Sequence, residues 1–266
     1  ELITENIEEF KEEDLIPKQE AVILLTHDGY IKRMLPTAFR AQERGGRGLI
    51  GFDLREEDRV AQLLLANTHD NLLFFTDRGK TFQIKAYEVP KAARISKGKL
   101  VHTFLGLSDD ERITALIAYP EDKKVRERYL VMATEQGVIK KVRLEEFQNV
   151  RKSGIIAITL KSGDVLRWVR LSNTDEEVIL ATSNGQAIRF KEKDIRTMKR
   201  TAAGVRGIAL KKGDRVISLD IIKKGSAKDA KFLVITARGY GKQTHLSNYK
   251  IQRRGGTGIK TAQVTK

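Results

Sequence analysis

Five stretches of the chain share one pattern of hydrophobic and polar positions. Each begins with an apolar run, turns at a glycine, and continues with alternating basic and apolar residues. Runs rich in β-branched and aromatic residues are typical of strands, and glycine supplies the positive φ of a tight turn. The pattern therefore predicts five β-hairpins. They occupy 22–39, 72–89, 129–147, 178–195 and 232–249, and they turn at Gly29, Gly79, Gly137, Gly185 and Gly239.

A second pattern follows each of the first four hairpins. A leucine is followed four residues later by an acid, and two residues after the acid by another apolar residue. This spacing favours a strand, an acidic turn and a further strand. The positions are Leu54, Asp58 and Val60, then Leu107, Glu111 and Ile113, then Leu160, Asp164 and Leu166, and finally Leu210, Asp214 and Val216.

Together the two patterns predict an all-β chain with about four strands per repeat, which is the content of a propeller blade. A closed barrel is the weaker alternative. The predicted repeats cover about 21–70, 71–127, 128–176, 177–230 and 231–266, after a mostly acidic leader over 1–20. No second element follows the fifth hairpin, so we expect either a disc that is open after about five blades or a sixth blade outside this chain.

The composition and net charge of the chain indicate what kind of partner it binds. The 266 residues are 40% hydrophobic and contain no cysteine, which excludes disulfides and thiolate zinc sites. No apolar run approaches the roughly 18 residues of a membrane span, and no signal peptide is visible. Fifty Lys and Arg against 35 Asp and Glu give a net charge of +15. We therefore expect a cytoplasmic protein with a polyanionic partner, either nucleic acid or an anionic membrane surface.

The basic residues concentrate in one short loop per repeat, between the hairpin and the second element. These loops cover 42–48, 93–99, 150–154, 199–207 and 252–258. Four of them place a glycine 19 residues after the turn glycine, namely Gly48, Gly98, Gly204 and Gly258, whereas the third repeat has Ile156 there. The five loops therefore share one structural location, and the pattern predicts a ring or arc of positive charge along a rim.

The chemistry of these loops favours phosphate binding. Arginine grips phosphate oxygens with a planar fork, and glycine lets the backbone approach a ligand closely. Such contacts position DNA without reading its bases, so we expect little sequence specificity. The residues over 46–51 match the dinucleotide fingerprint G-x-G-x-x-G, but a strand-like segment rather than a helix follows them. The four histidines lie outside metal-ligand spacing, and we predict neither a metal site nor a catalytic residue.

The loop over 42–48 reads Q-E-R-G-G-R-G and resembles the GyrA box, the Q-[RK]-R-G-G-[RK]-G signature of the C-terminal domain of the DNA gyrase A subunit. The segments 25–33, 66–70, 204–210 and 239–242 are also similar to that domain. The resemblance extends from about 14 to 260. The chain thus resembles the type IIA topoisomerase A subunits, which comprise those of DNA gyrase and topoisomerase IV.

The resemblance implies a β-pinwheel, a propeller-like disc whose blades exchange strands and whose basic perimeter wraps double-stranded DNA. It also implies two partners, the remainder of the A subunit together with the ATPase B subunit, in an A2B2 holoenzyme in the cytoplasm at the nucleoid. The catalytic tyrosine lies elsewhere in that holoenzyme, as do ATP and Mg2+. The domain alone is therefore expected to need no cofactor and to cleave no DNA.

The box transfers to this chain with one departure. Gln42, Arg44, Gly45, Gly46, Arg47 and Gly48 match it, whereas Glu43 stands where the family has Lys or Arg. Because an anion there removes one phosphate contact and adds repulsion, we expect a weakened box. The loop Gln252–Gly258 resembles a second box, with Thr257 in place of a basic residue.

Further DNA contacts are predicted from basic and polar residues on the hairpins and the other loops. They are Lys32, Arg33, Arg94, Lys97, Lys99, Lys140, Lys141, Arg151, Lys152, Arg189, Lys199, Arg200, Arg206, Lys242, Gln252, Arg253 and Arg254. Three functions remain open on the sequence. The first is a wrapping domain that controls supercoiling. The second is a topoisomerase IV-type domain that binds DNA without stable wrapping and supports relaxation and decatenation. The third is a propeller used only as a protein-interaction platform.

Overall fold

Short antiparallel strands make up most of the structure. The computed structural model describes residues 12–39 and 58–264. The strands are β1 Glu20–Thr26, β2 Tyr30–Met34, β3 Val60–Asn67, β4 Asn71–Thr76, β5 Lys80–Lys85, β6 Lys99–Leu100, β7 Ile113–Tyr119, β8 Tyr129–Thr134, β9 Val138–Arg143, β10 Ile155–Ile156, β11 Leu166–Ser172, β12 Glu177–Thr182, β13 Gln186–Lys191, β14 Val205–Arg206, β15 Val216–Ile222, β16 Lys231–Ile235, β17 Gly241–His245 and β18 Ile259–Lys260.

Helical structure in the described residues is confined to single turns. The only α-helix among them is α1, Lys123–Arg126. The 3-10 helices are Glu12–Leu15, Pro36–Ala38, Ala86–Glu88, Val101–Thr103, Leu144–Phe147, Glu192–Asp194, Ser226–Lys228 and Leu246–Asn248. The predicted all-β class is therefore confirmed.

The strands of the described residues form four four-stranded sheets and one two-stranded sheet. Their strand orders are β3-β1-β2-β6, β10-β5-β4-β7, β11-β8-β9-β14, β15-β12-β13-β18 and β16-β17. Each of the first four sheets thus contains one hairpin and the long strand that follows the acidic turn of the same repeat. Within the described residues the fifth hairpin, β16 and β17, pairs only with itself.

The short fourth strand of each four-stranded sheet comes from the next repeat. β6 pairs with β2, so that Tyr30 faces Leu100 and Ile31 faces Lys99. In the same way β10 pairs with β5, β14 with β9, and β18 with β13. The strand exchange implied by the resemblance is thereby confirmed. Four strands per blade was also correct, but one of the four belongs to the following repeat.

Glycine is required where the donated strand meets the previous hairpin. Gly98 and Gly258 have φ values of +84° and +73°, a region that side chains disfavour. A Cβ on Gly98 would overlap the carbonyl oxygen of Ile31, and one on Gly258 would overlap that of Ala187. These two glycines therefore permit backbone packing between repeats. The sequence interpretation assigned the loop glycines to the approach of a ligand, whereas at these two positions the packing of the donated strand itself requires glycine.

The hairpin turns are closed by a threonine and by the acid of the second element. In all five hairpins a threonine hydroxyl accepts a hydrogen bond from the backbone N–H four residues later. Asp214 accepts from the backbone N–H groups of Asn184 and Arg215, both at 2.9 Å, and from the Thr182 hydroxyl at 2.8 Å. Burial opposes ionisation of Asp214, but these hydrogen bonds prevail and lower its pKa. The predicted acidic turn therefore stabilises the hairpin of its own repeat.

Replacing Asp214 with alanine is expected to lower the free energy of unfolding by about 1–3 kcal/mol at pH 7, because several donors lose a charged acceptor. Since folding lowers the pKa of this carboxyl below its unfolded value of 3.8, its contribution is present above that value. The contribution is lost as the pH falls through the folded-state pKa. Urea unfolding from pH 7 to pH 2.5 should therefore show the two proteins converging in acid. Asp220→Ala, which removes an exposed carboxylate, is the control, and a difference independent of pH would contradict this account.

The described residues divide into two compact units. The first takes in the described part of Glu1–Leu72, together with Ile84–Phe104 and Ala118–Glu121. Within it, Val22, Leu24 and Met34 form an apolar cluster with Ala38 and Phe39.

The second unit takes in Leu73–Gln83, Leu105–Ile117 and the described part of Asp122–Lys266. One apolar cluster within it joins the third sheet to the fourth. The buried members are Val131, Ala133, Ile139, Val178, Leu180, Ile188, Phe190, Ile195, Ile208, Val216 and Leu219, and Trp168 packs against them.

Candidate nucleic-acid interface

In the second unit, the basic loops of repeats 4 and 5 are each hydrogen-bonded to the short strand donated by the repeat before. The guanidinium of Arg200 donates to the carbonyl of Ile156 in β10 at 3.0 Å. One repeat further on, the guanidinium of Arg254 donates to the carbonyl of Arg206 in β14, also at 3.0 Å. The loops of repeats 4 and 5 therefore lie against the strands donated by repeats 3 and 4. The three loops are thereby linked in series through β10 and β14.

Several of the predicted contacts lie on the surface of these loops. Exposed side chains are Lys97 and Lys99 in the first unit, and Arg151, Lys152, Lys199, Arg206 and Arg253 in the second, with Lys242 exposed on β17. Arg94, Arg200, Gln252 and Arg254 are half-buried. Lys199 pairs with Glu146 at 2.6 Å, but its side chain is 83% exposed, so water and salt screen this pair. The exposed cations can meet a phosphate without a rearrangement of the fold.

The prediction of a direct contact with phosphate is wrong for four residues. Lys32, Lys140, Lys141 and Arg189 are all buried, and Lys140 is 0% exposed. Because Lys32 and Lys140 alternate with the apolar residues Ile31 and Ile139, strand alternation predicts that they lie on the side that faces solvent. That side instead faces the loop of the next repeat, and each ammonium donates to backbone carbonyls. The acceptors are Ala93, Arg94 and Ser96 for Lys32, and Ala157, Arg200 and Ala202 for Lys140.

In the hairpins of repeats 1, 3 and 4, the next position secures the 3-10 turn of the following repeat. Arg33 donates to the carbonyls of Tyr87 and Val89. Arg189 donates to those of Leu246 and Tyr249 and pairs with Glu177. Lys141 pairs with Glu192 at 3.0 Å and lies over the Tyr129 ring. These cations join one repeat to the next, so their charge serves the fold rather than the outer surface.

Burial changes the acidity of the loop-holding lysines. Desolvation, with a smaller contribution from nearby Arg200, lowers the pKa of Lys140 to about 8. Burial also lowers the pKa of Lys32, and the charge of Arg94 acts in the same direction. Both shifts have the sign expected for an ammonium removed from water.

The remaining predicted set, the box-like residues 42–48, lies outside the described residues. A basic residue outside the predicted set lies beside the loops. Lys161 lines a cleft of about 590 Å3 together with Arg206, Gly204 and Gln136. Lys161 could have been found from the sequence, because it lies just before the acidic turn in the segment L-K-S-G-D. Our interpretation of that segment considered only the acid.

Other classes of site find no support in residues 12–39 and 58–264. No group of three or more His, Cys, Asp or Glu side chains in that part of the chain could hold a metal ion. Within the same ranges, no helix is long and apolar enough to cross a membrane.

Strand-exchanged four-stranded sheets, each built from successive repeats that carry a basic loop, define this chain as a β-pinwheel domain. The family described as "DNA gyrase C-terminal domain, beta-propeller" matches it five times, over 20–67, 70–120, 128–173, 176–223 and 230–266. The chain belongs to this family of gyrase A C-terminal domains.

Whole-protein relatives agree with this assignment. The DNA gyrase A subunit of Staphylococcus epidermidis is 44% identical over 259 residues, which cover 97% of this chain and 29% of that protein. The Staphylococcus aureus protein of the same name is 43% identical over 258 residues, with the same two shares. The chain thus spans about 29% of the length of these relatives.

Two solved structures, both of topoisomerase C-terminal domains, have a similar fold. The C-terminal domain of a DNA topoisomerase IV superimposes with a TM-score of 0.75 at 27% identity, covering 92% of this chain and 73% of that one. A DNA gyrase A C-terminal domain superimposes with a TM-score of 0.72 at 30% identity, covering 91% and 76%.

Proposed function

We propose that this chain binds duplex DNA without reading its sequence and bends or wraps it, as the C-terminal domain of a type IIA topoisomerase A subunit that controls supercoiling. One observation carries the proposal: the basic loops of repeats 3 to 5 are linked in series through the donated strands, and they expose Arg151, Lys152, Lys199, Arg206 and Arg253 to solvent. A polyanion that follows these loops meets cations from successive repeats. The net charge of +15 favours the same partner.

The type of side chain favours duplex DNA over single strands. Arginine and lysine neutralise phosphates, and each neutralised phosphate adds about 0.9 to the slope of log affinity against log salt. Single-strand binders also need exposed aromatic platforms on which bases stack. Aromatic residues make up 6% of this chain, and Trp168 packs against the core of the second unit.

The experiment that tests binding is a fluorescence-anisotropy titration with duplexes of unrelated sequence at 50 to 200 mM salt. We expect similar affinities for all sequences and a steep loss with salt. A salt-independent affinity, or none, would favour the protein-interaction platform instead. Wrapping is tested separately: relaxed circular DNA is incubated with the domain and sealed by a ligase, and its linking number is measured.

Stable wrapping and binding without wrapping remain two forms of this proposal. The solved topoisomerase IV domain superimposes as well as the gyrase domain does, and Glu43 interrupts the box-like sequence with an anion. Binding that leaves the linking number unchanged would assign the chain to the topoisomerase IV type, which supports relaxation and decatenation. A shift in linking number would assign it to the wrapping type.

Glu43→Arg is expected to strengthen duplex binding and to increase any shift in linking number, because it replaces a repelling anion with a phosphate ligand. The salt slope should steepen by about 0.9 for the one restored contact. Asp229→Arg makes the same change of charge at an exposed position just before β16 and serves as the control. Equal affinity and slope in wild type and Glu43→Arg would remove Glu43 from the account of this loop.

The rest of the proposal concerns a longer protein. We place this domain in an A2B2 holoenzyme, beside the remainder of the A subunit together with the ATPase B subunit, in the cytoplasm at the nucleoid. DNA cleavage, ATP and Mg2+ belong to the other parts of that assembly. The domain itself contributes DNA geometry and takes no cofactor.

A further inference from the structure

Lys32 and Lys140 occupy the same place in their hairpins, and each directs one ammonium group at three backbone carbonyls. Both lie three residues after the turn glycine. An ammonium has three N–H donors, and three backbone carbonyls meet them in each case. For Lys32 all three belong to the loop of the next repeat, and for Lys140 two belong to that loop and the third is Ala157 of its own repeat. Lys140 Nζ lies 2.9 Å from the carbonyl oxygens of Ala157 and Ala202 and also donates to that of Arg200. The arrangement thus recurs in two separate pairs of repeats.

The fold does not need a cation at this position. The corresponding residues of repeats 2 and 4 are Phe82 and Ile188, which are buried apolar side chains. The two lysines are therefore not explained by stability alone, and their direct partners are the basic loops.

Lys140 sets the direction of the peptide groups in the loop of repeat 4. The carbonyls of Arg200 and Ala202 point at its ammonium. In a planar trans peptide the N–H points away from the C=O, so the N–H groups of Thr201 and Ala203 face away from Lys140. Outward-facing N–H groups close together along the backbone form a concavity that binds anions. The loop of repeat 4 therefore offers backbone donors on the side opposite Lys140.

We infer that Lys140 is a positioning residue for DNA phosphate, which holds the loop over 199–206 so that the backbone N–H groups of Thr201 and Ala203 receive a phosphate oxygen beside Lys199 and Arg206. Lys32 does the same for the loop over 93–99. This inference rests on the proposed function. It adds that part of the phosphate site is backbone, and that a buried lysine prepares it without touching DNA.

The test is Lys140→Met, which keeps the length of the side chain and removes its charge. We expect duplex affinity to fall about tenfold, because the loop must then be ordered at the moment of binding. The salt slope should stay unchanged, because no phosphate contact is removed. A side chain that touched phosphate directly would reduce that slope by about 0.9. Thermal unfolding serves to show that the variant is folded at the temperature of the titration.

Two further variants complete the design. Lys224→Met removes one exposed ammonium outside the loops and controls for net charge. Lys140→Ile copies the residue that repeat 4 carries at this position, and it takes over the test if the methionine variant does not fold. Unchanged affinity in a folded Lys140 variant, or a slope reduced by about 0.9, would overturn the inference.

Amide exchange separates this inference from the proposed function. Exchange in the peptide over 199–207 should be faster in Lys140→Met than in the wild type, with no DNA present. If the wild type fails to bind DNA but this difference is found, the proposed function fails and the role of Lys140 in ordering the loop stands. If binding is found and exchange is equal, the positioning role fails alone.

Discussion

A variant in which Arg151, Lys152, Lys199 and Arg206 are all replaced by glutamine should lose most of its affinity for duplex DNA at low salt. These four side chains are exposed on the loops of repeats 3 and 4. At about 0.9 per phosphate contact, their removal should reduce the salt slope by about 3.6. Between 50 and 200 mM salt the wild type should therefore lose about 100-fold more affinity than the variant. Anisotropy titrations at four salt concentrations measure both quantities.

The control for this variant makes the same change of charge outside the loops. Lys223, Lys224, Lys228 and Lys231 are exposed between the end of β15 and the start of β16. Changing all four to glutamine should leave the salt slope close to that of the wild type. If the two variants lose affinity equally, net charge rather than the linked loops attracts DNA, and the loops would no longer support the proposed function.

Gly258→Ala should destabilise the fold more than any other single substitution proposed for this chain. A Cβ would overlap the carbonyl oxygen of Ala187, so the donated strand β18 must move away from β13. We expect a loss of about 3–5 kcal/mol in the free energy of unfolding, the range of substitutions that disrupt packing severely. Urea unfolding followed by circular dichroism measures it.

The matched control separates strain from overlap. Gly213 also has a positive φ, +77°, but a Cβ there would meet nothing within 4 Å. Gly213→Ala should therefore cost only the conformational strain, about 1–2 kcal/mol. Equal losses in the two variants would show that the φ value, and not the close packing of the donated strand against β13, requires glycine at position 258.

Much of the architecture could be predicted because each hairpin has a local signal. An apolar run, a threonine, a turn glycine and an alternating strand lie within one short segment, and the same signal occurs five times. The strand exchange had no such signal. Val205–Arg206 and the other donated strands are two residues long, so their pairing depends on partners in the previous repeat and not on local periodicity.

The candidate interface was predicted in part for the same reason. Loop residues such as Arg151 and Lys199 were located correctly on the surface because loops between strands are solvated. Lys32 and Lys140 were misassigned because alternation shows which side of a strand a residue occupies, and not what covers that side. Only the tertiary arrangement reveals that the loop of the next repeat covers it.

The donated strands also bear on how such a chain matures during its synthesis. A sheet that takes its fourth strand from the next repeat cannot be completed when its own repeat leaves the ribosome. The sheet around β9 must wait for Val205–Arg206, which lies in the following repeat. At synthesis rates of roughly 5–20 residues per second, its edge stays open for several seconds. Nascent chains of this protein therefore carry one unfinished edge at every stage of elongation, and this edge advances by one repeat at a time.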